Sequence, residues 1–170
     1  SSQVGCSVDC DFCATAKMGF KKNLNVGEII DQLLLIKNYV EAPITNIVFM
    51  GMGEPFLNYN NVITAANLMN DKEGLNFSYH RITISTSGIV PKITQFINDK
   101  IKYNLAISLN ASDDKTRDKL IPINKKWPIK TLIKFTSKYN KLHKTGLTFE
   151  YVLIDSINDS DQDTKRLVQL

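Results

Sequence analysis

The stretch Ile44-Thr45-Asn46-Ile47-Val48-Phe49-Met50, followed directly by Gly51-Met52-Gly53-Glu54-Pro55, decides the fold. The apolar run reads as a mostly buried strand. The glycines break it, and Val62, Ala65, Ala66 and Met69 then recur on one helical face. The same unit repeats on both sides. Upstream, Val26, Ile29, Ile30, Leu33, Ile36 and Val40 predict a helix, with Asn25 as its N-cap and Glu28 as the capping-box partner. Downstream, 81–85 predicts a strand that ends at Ser87-Gly88. Pro91 opens a helix with Ile93, Phe96 and Ile97 inward. A strand over 103–108 comes next, then a short helix capped by Ser112 with Asp113 and Asp114. Pro128 opens another helix, carrying Ile129, Leu132, Ile133 and Phe135. The run 147–154 predicts the last strand, and Asn158-Asp159-Ser160 caps a terminal helix.

Strands alternating with helices imply an α/β fold with a parallel sheet and right-handed crossovers. Four clear strands and a short one at 2–4 make about five βα units. Ligands of such sheets bind beyond the carboxyl ends of the strands. The loops at those ends are 5–23, 51–55, 86–88 and 109–111, and they hold every unusual residue of the chain.

Composition sets the outer bounds. The 170 residues fit one domain or part of a larger one, and a 43% hydrophobic content supplies a core. No run is apolar and long enough to span a bilayer. Ser1-Ser2-Gln3-Val4-Gly5-Cys6 shows no basic region of a signal peptide. The final run, 164–170, reads as a helix cut short, so a fragment of a longer protein is expected. The net charge of +4 is spread along the chain. It permits a nucleic-acid partner without arguing for one.

All three cysteines fall in Cys6-Ser7-Val8-Asp9-Cys10-Asp11-Phe12-Cys13. An odd, tight cluster is a poor disulfide framework and points to ligation in a reducing compartment. Thiolates at this spacing hold iron–sulfur clusters. A cubane has four irons, so three thiolates leave one iron open to a bidentate ligand such as the amino and carboxylate groups of S-adenosylmethionine (SAM). Structural zinc is a rival, but it wants four ligands and neither histidine is near in sequence. A redox dithiol at Cys10 and Cys13 lacks the strand-then-helix setting of thioredoxins. Three buried structural thiols would not be expected to cluster.

The other strand-end loops carry polar groups. Glycines at 51 and 53 let backbone approach a ligand, and Glu54 is placed to accept from an ammonium group. Thr83-Ile84-Ser85-Thr86-Ser87-Gly88 and Ser108-Leu109-Asn110 bring hydroxyl and amide groups to the next two strand ends. Each alone suits a turn, but their common register suggests a ligand.

The cysteine spacing with Phe12 between the second and third thiols, and the Gly-rich Glu-Pro turn, resemble the radical SAM superfamily. Several longer runs resemble more specifically the dual-specificity RNA adenine-C2 methyltransferases. These are 1–6, Cys13-Ala14-Thr15-Ala16, Gly19-Phe20, Asn23-Leu24, Met50-Gly51-Met52-Gly53-Glu54-Pro55-Phe56-Leu57-Asn58, 83–88, Arg117-Asp118 and Pro122-Ile123-Asn124-Lys125-Lys126. The resemblance implies a partial (βα)6 radical SAM barrel, here 1–170 as an incomplete core domain truncated to about the first five βα units. The N-terminal RNA-binding region and the C-terminal end of the barrel would be missing.

Residue by residue, the resemblance implies that Cys6, Cys10 and Cys13 hold one [4Fe-4S] cluster. It implies that Gly53, Glu54, Ser85, Ser108, Leu109 and Asn110 contact SAM. Relatives carry histidine where this chain has Asn110, although asparagine also donates and accepts. The implied partners are 23S rRNA, tRNA and an electron donor such as flavodoxin or ferredoxin. A cytoplasmic monomer is expected, with no membrane association.

In the family, one SAM methylates a cysteine and a second is cleaved to a radical that activates that methyl for addition to adenine C2. This sequence has no cysteine outside 6–13. The methyl-carrying and resolving cysteines are therefore expected beyond this piece, which alone should not methylate RNA. A sister branch methylates adenine C8, but Pro55 and the Thr86-Ser87-Gly88 turn look more like the C2 branch. A radical SAM enzyme with another substrate would share the same cofactor residues. A zinc-stabilised binding domain would use the cysteines without catalysis.

Lys17, Lys21, Lys22, Arg81, Lys125 and Lys126 read mainly as solvated charges, and Trp127 as a packing anchor. His80 and His143 read as surface residues, and Arg117 with Asp118 as an ordinary helix pair.

Overall fold

The first strand, β1 (Gln3–Val4), pairs antiparallel with β2 (Lys22–Asn23) in the register Gln3↔Asn23 and Val4↔Lys22. This computed structural model describes residues 1–142 and 146–170. The expected βα unit at 2–4 therefore does not join the parallel sheet. Its N–H groups are used elsewhere: those of Ser2 and Gln3 both donate to Met52 O, at 2.8 and 3.3 Å. The pair is a small clasp lying against the Gly51–Gly53 turn.

Helix α1 (Val26–Tyr39) opens as its sequence predicts. Asn25 accepts the Glu28 N–H at 2.9 Å and the Glu28 carboxylate accepts the Asn25 N–H at 2.9 Å. Next come β3 (Ile47–Phe49), α2 (Tyr59–Asn70), β4 (Ile82–Thr86), α3 (Val90–Asn98) and β5 (Asn104–Ser108). The chain continues through α4 (Asp114–Leu120), α5 (Ile129–Leu142), β6 (Leu147–Glu150) and α6 (Asp161–Gln169). Strands β3, β4, β5 and β6 are all parallel and adjacent in sequence order.

Burial follows that order. In central β5, Leu105, Ala106 and Ile107 are all fully buried, so both faces of the strand are covered. On the outer strands Val48 is 53% and Phe149 42% exposed. Outside the sheet, α1 packs on α2 and α3 on α5. Phe56, Phe96 and Tyr139 stack in series, with ring centroids 5.7 and 5.9 Å apart. Each such side chain contributes about 1.5–3 kcal/mol on burial.

The run 44–50, expected as a mostly buried strand, pairs only over Ile47–Phe49 and buries only Phe49, because β3 is an edge strand with one side open. Two further boundaries shift for identifiable reasons. Strand β6 stops at Glu150 rather than 154, because asparagine side chains take over its ladder. Val152 N–H donates to Asn110 Oδ1 at 2.9 Å and Ile154 N–H to Asn158 Oδ1 at 2.7 Å. The cap of α4 is Asp113, which accepts Thr116 N–H at 2.9 Å, and not Ser112. The buried Ser112 hydroxyl instead donates to Asp163 Oδ1 at 2.6 Å and accepts from Arg166 Nε at 2.9 Å, which latches α6. Ser160 caps α6 in a capping box with Asp163. Among the described residues no helix is long and apolar enough to cross a membrane.

Candidate active site

The carboxyl ends of β3, β4 and β5 open onto a cavity of about 270 Å³. Cys6, Cys10 and Cys13 line it on one side, and Gly53, Glu54, Ser85, Ser108 and Asn110 on the strand side. Residues far apart in sequence thus meet where the alternation of strands and helices predicts a ligand.

Local chemistry shapes the cysteine loop. Gly5 has φ +76°, and a Cβ there would sit 1.6 Å from Gly19 O, so the loop's two stems touch through backbone. Cys13 N–H donates to Cys10 O and Ala16 N–H to Cys13 O, both at 3.1 Å, forming consecutive turns. Lys21 N–H returns to Val4 O at 2.9 Å and closes the loop. Asp11 N–H donates to Leu120 O at 3.0 Å, and Val8 packs with Leu120 and Ile121. The loop is therefore anchored to α4. All three cysteines are free thiols, partly buried.

Glu54 is 4% exposed and forms the hub of the strand side. Its Oε1 accepts Phe56 N–H at 2.9 Å, and its Oε2 accepts the N–H and hydroxyl of Ser87 at 2.7 and 2.8 Å. Its own N–H donates to the buried Gln3 Oε1 at 2.8 Å, tying it to the clasp. Gly53 has φ +91° and lies against Gln3, where a Cβ would be 2.5 Å from Gln3 Cβ. The hydroxyls of Ser85 and Ser108 and the amide nitrogen of Asn110 have no protein partner among the described residues. They face the cavity as spare donors. Asn110 takes φ +54°, which asparagine tolerates better than most residues. Leu109 stands apart: its side chain lines a separate groove with Ile133, Thr136 and Phe149.

Burial dominates ionisation in the cavity. Burial pushes the Cys10 thiol up to about 12, and repulsion from Cys13, Cys6 and Glu54 adds to it. Burial raises Cys6 as well, and raises the Glu54 carboxyl despite hydrogen bonds from Ser87, Phe56 and Thr86. Burial thus favours the protonated thiols, and a metal cation that binds thiolate would draw those protons off. Among the described residues no three His, Cys, Asp or Glu side chains converge tightly enough to hold a single metal ion. A cubane gives each thiolate its own iron, so its ligands stand apart around a shared space. Three thiols on the wall of one cavity fit that group.

The family profile for the radical SAM superfamily matches residues 1–168. The chain belongs to the radical SAM superfamily. It is 49% identical over 173 residues to the dual-specificity RNA methyltransferase RlmN of Desulfosudis oleivorans, covering all of this chain and 46% of that protein. It is 47% identical over 175 residues to a probable enzyme of that name from Dictyoglomus turgidum, covering all of this chain and 50% of that protein. The crystal structure of a radical SAM methyltransferase from Sphaerobacter thermophilus superimposes with a TM-score of 0.93 at 42% identity, over 99% of this chain and 50% of that one. The chain thus spans about half the length of the curated relatives it matches. The fold is that of a partial radical SAM barrel.

Arg117 departs from its sequence reading. It is not a surface helix pair with Asp118. It is 1% exposed, with its guanidinium on main-chain carbonyls at the strand ends. Leu120 and Ile121, three and four residues on, mark the buried face and were the available signal. Trp127 is partly buried against the core under Lys126, as a packing anchor. His80 lies against the Tyr79 ring, at 3.9 Å between centroids, and His143 is outside the described residues.

Proposed function

We propose that this chain is the cofactor-binding core of a radical SAM methyltransferase acting on C2 of adenine in 23S rRNA and tRNA. One observation carries the reading: three thiols from a single loop share a cavity with the polar ends of three parallel strands. Similarity along all of this chain to about half of each protein named RlmN supports the substrate class.

Cys6, Cys10 and Cys13 hold the [4Fe-4S] cluster, which when bound supplies the electron for reductive cleavage of SAM. Glu54 orients SAM. Its carboxylate is held at the cavity wall by Phe56 and Ser87, where it can accept from an ammonium group. Gly53 brings backbone close to the ligand, and Ser85, Ser108 and Asn110 offer their spare donors to its hydroxyl and carboxylate groups. Leu109 sets the path of the backbone between Ser108 and Asn110. The loop anchored on α4 forms one wall of this space. An electron donor such as flavodoxin or ferredoxin is the proposed redox partner. The methyl-carrying and resolving cysteines are contributed from outside this sequence.

The test is methyl transfer from isotopically labelled SAM to rRNA and tRNA by the longer polypeptide that includes this chain. Mass spectrometry of the nucleosides should find the label on adenine C2. Label on C8 would move the protein to the sister activity, and no RNA labelling beside SAM cleavage would point to another substrate. Zinc bound without iron or sulfide after anaerobic preparation would replace the enzyme reading with a zinc-stabilised domain.

A further inference from the structure

Arg117 is the only lysine or arginine that is buried among the described residues. No carboxylate lies within ion-pairing distance of it there. Its guanidinium donates instead to neutral oxygens: Nε to Leu109 O at 2.8 Å, and Nη2 to Ser87 O at 2.7 Å and Ser108 O at 2.9 Å. Nη1 donates to Asn124 Oδ1 at 2.9 Å, and Asn124 is held in turn by Asp114 and Asp118. The Asp114 and Asp118 charges favour the cation from beyond Asn124, but burying it without a direct carboxylate partner still costs stability.

The fork has a definite target. Ser87 donates to Glu54 on one side and accepts from Arg117 on the other, so the ends of β3, β4 and β5 are linked in series. The charge has one too. Helix α4 carries Arg117, and its last residue Leu120 accepts the Asp11 N–H from the middle of the cysteine loop. Arg117 lies one turn before Leu120 on that helix, and its carbonyl partners Ser87 and Ser108 line the same cavity as the three cysteines.

We propose that Arg117 is a positioning residue for the SAM and cluster sites, with two separable contributions: its planar fork sets the strand ends that contact SAM, and its buried positive charge stabilises the reduced, more negative state of the cluster. This rests on the cofactor reading above. Iron–sulfur potentials respond to nearby charge, hydrogen bonds and solvent access. Lysine keeps the charge but offers no planar fork, whereas glutamine loses the charge.

Wild type, Arg117→Lys and Arg117→Gln are reconstituted anaerobically. The midpoint potential of each is measured by redox-poised electron paramagnetic resonance, SAM affinity by equilibrium dialysis, and folding by circular dichroism. Arg117→Gln should shift the reduction equilibrium at least tenfold toward the oxidised form, ~59 mV more negative for a one-electron couple. Arg117→Lys should keep the wild-type potential. Both should bind SAM at least tenfold more weakly. A folded, loaded Gln variant with unchanged potential overturns the inference, as does an equal shift in both variants or a Lys variant with wild-type SAM affinity. If the Gln variant does not fold, the Lys variant decides through its SAM affinity. A wild type that assembles no cubane defeats the cofactor reading and this inference with it. A wild-type cubane indifferent to Arg117 defeats the inference alone.

Discussion

Glu54 and Ser87, on consecutive strand-end loops, are joined twice: Glu54 Oε2 accepts both the backbone N–H and the hydroxyl of Ser87, at 2.7 and 2.8 Å. This fixes the buried carboxylate independently of any ligand. Ser87→Ala removes the hydroxyl and leaves the N–H. A hydrogen bond to a charged group contributes about 1.5–3 kcal/mol, so urea unfolding should show a loss of that order. An unchanged midpoint would mean that Ser87 does not hold the carboxylate.

Ser85 and Ser108 should behave oppositely. Their hydroxyls face the cavity with no protein partner among the described residues. Ser85→Ala and Ser108→Ala should keep the unfolding midpoint within about 0.5 kcal/mol. SAM affinity should drop several-fold, since one neutral hydrogen bond contributes about 1 kcal/mol. Equilibrium dialysis with labelled SAM measures this. Destabilisation with unaltered SAM binding would assign both hydroxyls to the fold.

The α/β alternation was legible because apolar periodicity and helix caps are local. Asn25 with Glu28, Pro91 and Ser160 all stand where the sequence places them. The strand-end loops were legible for the same reason: where strands alternate with helices, their carboxyl ends share one side of the sheet. The burial of Arg117 had a signal in Leu120 and Ile121, but its partners were not legible, because Ser87, Ser108 and Leu109 offer main-chain oxygens on other elements. Nor was the clasp of β1 and β2, which depends on Gly5 meeting Gly19 across the cysteine loop. The early end of β6 depends on Asn110 and Asn158 reaching across the fold.

Gly5→Ala tests the closure of the cysteine loop. A Cβ at 1.6 Å from Gly19 O cannot be accommodated without moving backbone, and φ +76° is strained for alanine. The stems should separate, with a loss of about 1–3 kcal/mol as in other overpacked sites. Iron incorporation on anaerobic reconstitution should fall with it. Wild-type iron content in this variant would show that the thiols need no closed loop.

The latch between Ser112 and α6 predicts acid sensitivity. Hydrogen bonds from Ser112 and Ser160, then Arg166, hold the Asp163 carboxyl well below its ordinary value of 3.8. The folded value is depressed, so the contribution is complete above 3.8 and is lost as pH falls below it. Melting temperature should decline through that range, and Asp163→Asn should flatten the decline while lowering stability at neutral pH. Parallel acid profiles for the two proteins would remove Asp163 from the latch.

Single Cys→Ser changes at 6, 10 and 13 should each abolish a stable cubane, read as iron and sulfide per chain. Full iron content in any one of them would take that residue out of the ligand set.

The most direct test of the central claim is electron paramagnetic resonance of the anaerobically reconstituted, reduced chain before and after SAM is added. Three thiolates on a cubane leave an iron to which SAM binds, so the reduced [4Fe-4S] signal should change its g-values when SAM is present. A cubane spectrum indifferent to saturating SAM, or no cubane at all in a folded chain, would contradict the account.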